Sequence, residues 1–364
     1  MVKVRERIYG VDSIRAFAAL SVLLAHILGP VLPDLFGSIH LSLRESAGFS
    51  KYIFTGHPAV IVFFVVSGFC IHYPYVNGTL PILPFWAARF TRIMIPAVVA
   101  IGCAKLVGGL SSYNFVDGYI LWSIVCELFY YSLYPVFIMI SRFVSWRLQF
   151  YIAFAISCIL VIALGSDQYG SAHIYGPYLN WLVALPSWLA GCVLAERVFT
   201  EQHGAIGNSI NLWRISIALT ASTLYWLTLN TSVGYFLTMN AFSLLVYFWL
   251  SAEVLAARNG CASFFEWVGK WSYSLYLFHM IIFTQLSFMF RLDWWGERLL
   301  SIPVVLVFSY LAYLVIEKPS HKIARILFAK LRQRSNRLRI LTHRDVLNDN
   351  RSVDECILRS VAER

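Results

Sequence analysis

The stretch D-S-I-R-A-F-A-A-L-S-V-L-L-A-H-I, residues 12–27, opens the first apolar segment of the chain that is long enough to cross a membrane. Arg15 and His26 lie eleven residues apart in it, almost three turns of a helix, so both side chains share nearly the same helix face. Their separation along the helix axis is about 16 Å, at about 1.5 Å per residue. If Arg15 lies near one membrane interface, His26 lies well inside the bilayer. An ionisable group at that depth indicates either a functional site or a histidine that is hydrogen-bonded within a helix bundle.

The composition indicates a membrane protein. The 364-residue chain is 59% hydrophobic and 16% aromatic, whereas only 13% of its residues are charged. Each membrane-spanning helix requires about 20 mostly apolar residues, and the apolar runs of this chain are too long and too uniform for the strands of an outer-membrane barrel. The sequence therefore predicts an all-α, polytopic transmembrane helix bundle.

Ten spans are predicted from the apolar runs, and their orientation follows from the positions of the basic residues. The predicted limits are 13–33, 56–76, 93–111, 119–140, 149–166, 177–195, 212–230, 234–255, 272–290 and 299–317. Lys and Arg are concentrated in alternate loops, and the loops at 112–118, 167–176 and 231–233 contain neither. The positive-inside rule then places both termini in the cytoplasm.

Two parts of the chain are distinguished by composition, a membrane domain at 1–317 and a basic tail at 318–364. The tail has twelve Lys and Arg residues and five Asp and Glu residues. Its alternation of basic and apolar residues at 321–341 predicts an interfacial amphipathic helix on anionic lipid. The net charge of +10 is accounted for by the topology and the tail, so we do not expect nucleic-acid binding.

Motifs for metals and nucleotides are not found in the sequence. The seven cysteines include no C-x-x-C pair, and no glycine-rich phosphate-binding loop occurs. We therefore expect no disulfides, no metal site and no permanently bound cofactor.

Arg89 and Arg92 form a second candidate site, in the stretch W-A-A-R-F-T-R at 86–92. Two arginines at i and i+3 share a helix face and can jointly bind the oxygens of a phosphate group. The alternative is an ordinary positive-inside cluster whose side chains extend to the lipid headgroups.

Glu127 is the third candidate, an acid within the predicted span at 119–140. A buried carboxylate must be paired, hydrogen-bonded or protonated. Its predicted depth is compatible with that of His26, and a carboxylate that orients an imidazole is a recurrent catalytic arrangement. The alternative is a structural glutamate bonded to a neighbouring helix.

Weaker candidates for substrate contacts lie in two further spans. Ser67 and Gly68 form a small pair that favours close helix packing. Ser272, Tyr276 and His279 fall on one helix face, where they either line a polar cavity or bond across helices.

Six motifs in a fixed order resemble the acyltransferase family 3 membrane proteins, over Asp12 to Pro319. These are Arg15-x10-His26, F-F-V-V-S-G-F at 63–69, R-F-T-R at 89–92, W-S-x-x-x-E-x-x-Y-Y at 122–131, S-Y-S-x-Y-L-x-H at 272–279 and E-K-P at 317–319. The resemblance implies a bundle of about ten spans in a bacterial inner membrane. It implies transfer of acyl groups, most often acetyl, to hydroxyls of extracytoplasmic or lipid-linked glycans.

A mechanism is expected from the residues and the resemblance together. Acyl-CoA, with acetyl-CoA as the expected donor substrate, places its phosphates near Arg89 and Arg92, with Arg15 as a third contact. His26 acts as general base or transient acyl acceptor, and Glu127 orients its imidazole. Acyl-CoA, the glycan acceptor and membrane lipids are the expected partners, and the sequence predicts no oligomeric state.

The chain departs from the family pattern in the loop between its third and fourth spans. Only 25 residues separate Pro96 from Trp122, fewer than is usual in the family, and this affects the expected acceptor preference. Two other classes of protein fit parts of the pattern. A proton-coupled transporter or flippase also uses intramembrane Arg, His and Glu, but no inverted repeat is evident. A structural or sensory protein leaves these residues unexplained.

The predicted topology is tested by a reporter fused after Arg364. Because basic residues alternate across the loops, we expect the fusion to report a cytoplasmic C-terminus, with alkaline phosphatase inactive and green fluorescent protein fluorescent. The opposite pattern would exclude an even number of spans with the N-terminus inside.

Overall fold

The computed structural model describes residues 8–28, 55–107, 121–165, 175–200, 210–231, 233–257, 263–292 and 295–337. The described chain is helical almost throughout. Its α-helices are, in order, α1 (Val11–Ile27), α2 (Gly56–His72), α3 (Ile82–Val107), α4 (Leu121–Ile140), α5 (Trp146–Leu164), α6 (Gly176–Thr200), α7 (Ile210–Asn230), α8 (Tyr235–Ala256), α9 (Ser263–Gly269), α10 (Ser272–Phe290) and α11 (Trp295–Ala312). A 3₁₀ turn (Tyr73–Tyr75) follows α2, and a π-helical turn (Tyr313–Glu317) joins α11 to a further helix over 318–337.

The predicted all-α polytopic bundle is confirmed. Each of the ten predicted spans contains a helix, and eight helical segments of the described ranges are long and apolar enough to cross a membrane. The two remaining predicted spans correspond to α1, of which 17 residues are described, and to α7. The short α9, between α8 and α10, adds one element that the hydropathy pattern did not predict.

Hydroxyl side chains of α7 are satisfied within the helix itself. Thr220, Ser222, Thr223 and Thr228 each donate a hydrogen bond to the backbone carbonyl four residues earlier. A polar side chain that is bonded in this way is tolerated in a lipid environment, where water is not available as a partner. The polar composition of α7 is therefore compatible with its position in the bundle.

Two helix boundaries differ from the prediction by more than ten residues. The third span was predicted at 93–111, but α3 begins at Ile82. Pro84 is compatible with this start, because backbone N–H groups in the first turn have no acceptor within the helix and a proline there loses no hydrogen bond. The last span was predicted to end at 317, but the helix continues to residue 337. Its continuation past Pro319 coincides with the π-helical turn, in which the N–H of Lys318 bonds to the carbonyl of Tyr313. Residues 338–364 of the predicted tail lie outside the described residues.

Contacts at the two ends of the bundle show that α8 runs antiparallel to α7 and parallel to α2. At one end, the first residues of α7 meet the last turn of α8, where Arg214 forms a bidentate pair with Glu253 at 2.6 and 3.0 Å. At the other end, the hydroxyl of Tyr235 in α8 donates to the carbonyl of His57 in α2. The first end is the one predicted to be cytoplasmic, and we call it the inner end.

The centre of the bundle is formed by α2 and α6, whose backbones come very close. In the most apolar stretch of each helix, 72% of the residues are buried. A Cβ atom added at Gly68 would overlap the carbonyl oxygen of Trp188, and one added at Gly191 would overlap that of Val65. Small residues at these two points therefore set the distance between the helices, as membrane helix packing generally requires.

We expect Gly68→Ala to destabilise the protein by about 1–3 kcal/mol or more, because its Cβ meets a backbone oxygen that cannot move independently. The measurement is the midpoint of thermal unfolding in detergent. Gly102→Ala is the matched control, since no atom lies within 4 Å of its added Cβ. There alanine should be neutral or should stabilise the helix by about 0.5–1 kcal/mol. Equal midpoints for the two variants would refute the close contact.

Candidate active site

Charged side chains from five segments of the chain meet in one cavity inside the bundle, which we call the polar cavity. Its volume is about 100 Å³. Its charged and hydroxyl-bearing lining residues are Arg15, Arg89, Arg92, Ser123, Glu127, Tyr131, Lys270, Ser272, Tyr273, Tyr276 and Glu317. Four of these side chains are cationic and two are anionic, so the polar cavity has an excess of two positive charges and favours an anionic ligand.

Arg15 is positioned in the polar cavity by the contacts of the first turn of α1. The carboxylate oxygen Oε1 of Glu266 accepts hydrogen bonds from the backbone N–H of Gly10 and from both the N–H and the hydroxyl of Ser13, at 2.9–3.1 Å. These N–H groups have no partner within the helix, so the acid caps α1 from a distant segment. Gly269 allows this approach, because a Cβ there would overlap the backbone of Asp12.

Arg89 and Arg92 lie between the polar cavity and a second depression at the inner end, which we call the inner groove. The inner groove has a volume of about 470 Å³, and both arginines line both spaces. The helix over 318–337 forms the other wall, with His321, Arg325 and Phe328. The guanidinium of Arg89 also lies over the ring of Phe85, 5.9 Å from its centroid. A ligand that enters from the inner end therefore meets these two arginines before it reaches the polar cavity.

Glu127 lines the polar cavity and is held by Tyr131. The hydroxyl of Tyr131 donates to its carboxylate oxygen Oε2 at 2.7 Å and lies 3.4 Å from the hydroxyl of Ser67. Trp86 fixes the same turn of α4 by donating to the carbonyl of Tyr131. Ser67 thus contacts the site through Tyr131, and it is not among the residues that line the polar cavity.

His26 is paired with His279, and the two form what we call the histidine pair. Their nitrogens Nδ1 and Nε2, respectively, are 3.1 Å apart. The other nitrogen of His279, Nδ1, lies 3.0 and 2.9 Å from the carbonyls of Leu275 and Tyr276. Carbonyl oxygens only accept, so Nδ1 of His279 carries a proton and its Nε2 accepts the proton of His26 Nδ1. This assignment leaves Nε2 of His26 with a free lone pair.

The sequence predicted Glu127 as the partner of His26, and the structure gives His26 a different one. No hydrogen bond or ion pair joins the two side chains, both of which are described. The physical reason is the position of α10, which places the buried His279 against α1 and leaves Glu127 bonded within its own helix. The spacing of Ser272, Tyr276 and His279 indicated that they share one face of α10. It could not indicate that this face packs against α1.

Tyr276 separates the polar cavity from the histidine pair. It lines the polar cavity, its hydroxyl is 2.9 Å from the hydroxyl of Ser123, and its ring centroid is 6.4 Å from that of His279. His279 follows it by one turn of α10. Ser272, one turn before Tyr276, also lines the polar cavity, although its hydroxyl donates to the carbonyl of Gly269.

Glu317 is a lining residue that the sequence analysis named only as part of the E-K-P motif and did not select as a site residue. It is 1% exposed, and its carboxylate oxygen Oε2 accepts from both the N–H and the hydroxyl of Ser274, at 2.9 and 2.6 Å. The E-K-P motif and the apolar surroundings of this acid were the signal that could have identified it. Lys270 and Tyr273 also line the polar cavity.

Comparisons with known proteins identify the family of the chain. The family model described as an acyltransferase domain matches residues 8–314. Nodulation protein 10 of Rhizobium leguminosarum bv. viciae is 22% identical over 373 residues, which cover 88% of this chain and 95% of that protein. No solved structure matches the chain. The family model thus spans most of the chain, including the histidine pair and the arginine cluster of Arg89 and Arg92. The chain therefore belongs to acyltransferase family 3 and is a membrane acyltransferase.

Proposed function

We propose that the protein transfers an acetyl group from cytoplasmic acetyl-CoA to a hydroxyl of an extracytoplasmic or lipid-linked glycan. The observation that supports the proposal is the order of three sites along the bundle. The inner groove leads through Arg89 and Arg92 to the polar cavity, and the histidine pair follows one helical turn further out. A donor that enters from the cytoplasm can thus extend towards an acceptor on the other side.

In the proposal, the phosphates of the donor bind at Arg89 and Arg92. A planar guanidinium can bind two phosphate oxygens at once, and two such groups one turn apart can hold a diphosphate. The bulky nucleotide then remains in the inner groove, whose volume is about 470 Å³. Arg15, which lines the polar cavity and is half-buried, adds a third positive charge to the path.

The size of the polar cavity supports a short acyl chain. At about 100 Å³ it holds about three water molecules, given about 30 Å³ for each. An acetyl group fits such a space far better than a long acyl chain does. To reach His26, the thioester must pass Tyr276, which Ser123 holds at the outer wall of the polar cavity.

At the histidine pair, Nε2 of His26 is the proposed general base. It removes the proton of the acceptor hydroxyl while the hydroxyl oxygen forms a bond to the thioester carbonyl carbon. The carbon–sulfur bond then breaks, and the imidazolium returns the proton to the departing thiolate, which leaves an ester and free CoA. The same nitrogen is the nucleophile if an acyl-histidine forms first. His279 fixes the tautomer that exposes this nitrogen, so we propose it as a positioning residue.

We propose that Glu127 acts in the polar cavity and not directly on His26. Its carboxylate and that of Glu317 offset part of the positive charge of the arginines and Lys270 when no donor is bound. Ionised groups of both signs lower the cost of holding each other in a membrane. Glu127 also fixes the hydroxyl of Tyr131, which orders the wall of the polar cavity.

Donor binding is tested with Arg89→Lys and Arg92→Lys. Lysine keeps the charge but lacks the planar fork, so we expect the Kd for CoA to rise by about tenfold in each variant. The measurement is CoA binding to the purified protein, together with transfer of labelled acetyl groups from acetyl-CoA to glycan in inside-out vesicles. Arg332→Lys is the matched control, because Arg332 is exposed and lines neither the polar cavity nor the inner groove. If both Arg89→Lys and Arg92→Lys bind CoA as tightly as the wild type, the two arginines do not bind the donor and serve only to orient the protein in the membrane.

The role of the histidine pair is tested with a double-mutant cycle. His26→Ala should reduce acetyl transfer by about 10²–10⁴-fold, as expected for loss of a general base, while CoA binding is retained. His279→Leu should lower the turnover number in the wild-type background, and His279→Gln, which still offers an acceptor to His26 Nδ1, should restore part of it.

In the His26→Ala background, His279→Leu should have no further effect, because the two residues act as one unit. Independent, multiplicative losses would show that His279 has only a structural role. Full transfer by His26→Ala would exclude the proposed chemistry.

A further inference from the structure

A second cavity of the described chain is separate from the proposed active site. We call it the large cavity; its volume is about 1120 Å³, and it lies at the inner end. Its walls are the connection between α2 and α3, the turn between α4 and α5, and the last turns of α6. It shares no lining residue with the polar cavity and only Tyr75 with the inner groove. The proposed transfer reaction makes no use of it.

Three buried or half-buried side chains form a hydrogen-bonded series in its wall. The hydroxyl of Tyr134 lies 2.9 Å from Nδ1 of His72, and Nε2 of His72 lies 2.7 Å from Oε1 of Glu196. The carboxylate accepts from Nε2–H, and the hydroxyl of Tyr134 is the partner of Nδ1. The side chain of His72 is 3% exposed and that of Glu196 is 35% exposed. A buried histidine thus holds a charged carboxylate at the edge of the cavity.

This arrangement leaves one carboxylate oxygen of Glu196 as an acceptor. Oε1 is bonded to His72, whereas Oε2 makes no hydrogen bond with any described residue. Because the carboxylate is fixed at one oxygen, the other has a defined direction and can accept from a hydroxyl group of a ligand.

Three arginines supply the opposite charge. Arg142, Arg147 and Arg197 line the same cavity, which gives it an excess of two positive charges over Glu196. The side chains of Arg142 and Arg147 are exposed and form no hydrogen bond or ion pair with another described residue. The guanidinium of Arg197 lies over the ring of Tyr247, 5.9 Å from its centroid. The guanidinium groups of Arg142 and Arg147 have donors that no described residue uses, and such groups are suited to phosphate oxygens.

The role of basic residues in orienting a membrane protein does not by itself explain the cavity, its fixed carboxylate and its arginines. Arginines at the inner end follow from the positive-inside rule, but that rule requires neither a cavity nor a carboxylate among them. It also does not require the buried pair of Tyr134 and His72 that fixes this carboxylate. The combination of phosphate donors with one fixed hydroxyl acceptor is a recognition pattern for a ligand that has both groups.

We infer that the large cavity is a second binding site, for a phosphate ester that also carries free hydroxyl groups. Such a ligand is either the headgroup of a hydroxylated anionic phospholipid or a soluble polyol phosphate. The arginines bind the phosphate, and Oε2 of Glu196 accepts from a hydroxyl.

The site is tested by binding to the purified full chain in a neutral detergent, with dioctanoyl phosphatidylglycerol and glycerol phosphate as probes. Dioctanoyl phosphatidylcholine, whose headgroup has no hydroxyl and no net charge, should bind at least about tenfold more weakly than phosphatidylglycerol. Binding of the lipid alone identifies the source as the membrane. Competition by glycerol phosphate identifies a soluble ligand.

Two variants alter the cavity in different ways. Arg142→Gln with Arg147→Gln removes phosphate donors, and Thr79→Trp fills space from an exposed position in the lining. Each should raise the Kd of the preferred probe at least about tenfold. The matched control is Lys105→Gln with Arg291→Asn, which removes two exposed charges outside the cavity. Asparagine tolerates the φ of 49° at Arg291.

The site is distinguished from the donor site by Arg89→Lys with Arg92→Lys, which should bind the probes as the wild type does. The inference is overturned if the wild type binds neither probe. It is equally overturned if both cavity variants bind the preferred probe as tightly as the control, since binding would then occur elsewhere on the surface.

Discussion

Glu266 determines where α1 begins, and much of the site depends on that contact. Its carboxylate binds the first turn of α1, including the N–H and hydroxyl of Ser13. At the opposite end, Arg298 donates to the last carbonyl of α1. Helix ends in a membrane have no water to complete their hydrogen bonds, so these two charged side chains fix the helix along its axis. Because Arg15 and His26 both lie on α1, their depths are set together by residues from the last third of the chain.

The inner groove, the polar cavity and the histidine pair lie at different depths, and each has a separate role in the proposed transfer across the membrane. The nucleotide of the donor is too large and too highly charged to enter the bundle. The thioester at the end of the pantetheine arm is small and uncharged, so it can enter. Arginines at the boundary between the inner groove and the polar cavity can therefore retain the charged part and admit the neutral part. The close backbone contact of α2 with α6, at Gly68, keeps the centre of the bundle rigid behind this path.

The sequence was sufficient for the long membrane helices and for six lining residues of the polar cavity, because apolar runs and intramembrane polar residues are local features. It was not sufficient for the partner of His26. Spacing along α10 shows which face His279 occupies, but the neighbour of that face depends on how distant helices pack. The same limit applies to Glu317, whose burial and bonds to Ser274 depend on the packing of its turn against α10. The early start of α3 was missed because the span was predicted from its apolar run, whereas the helix begins at Ile82 and includes Arg89 and Arg92.

The histidine pair also bears on the electrical insulation of the membrane. Two imidazoles in contact inside a bilayer could relay protons from one side to the other. Here the relay ends at once, because the inner nitrogen of His279 is bonded to the backbone carbonyls of Leu275 and Tyr276. A carbonyl oxygen of the backbone cannot take up and pass on a proton as an imidazole does. A proton taken up by His26 therefore cannot pass through His279 towards the inner end, so the histidine pair by itself does not form a proton relay across the membrane.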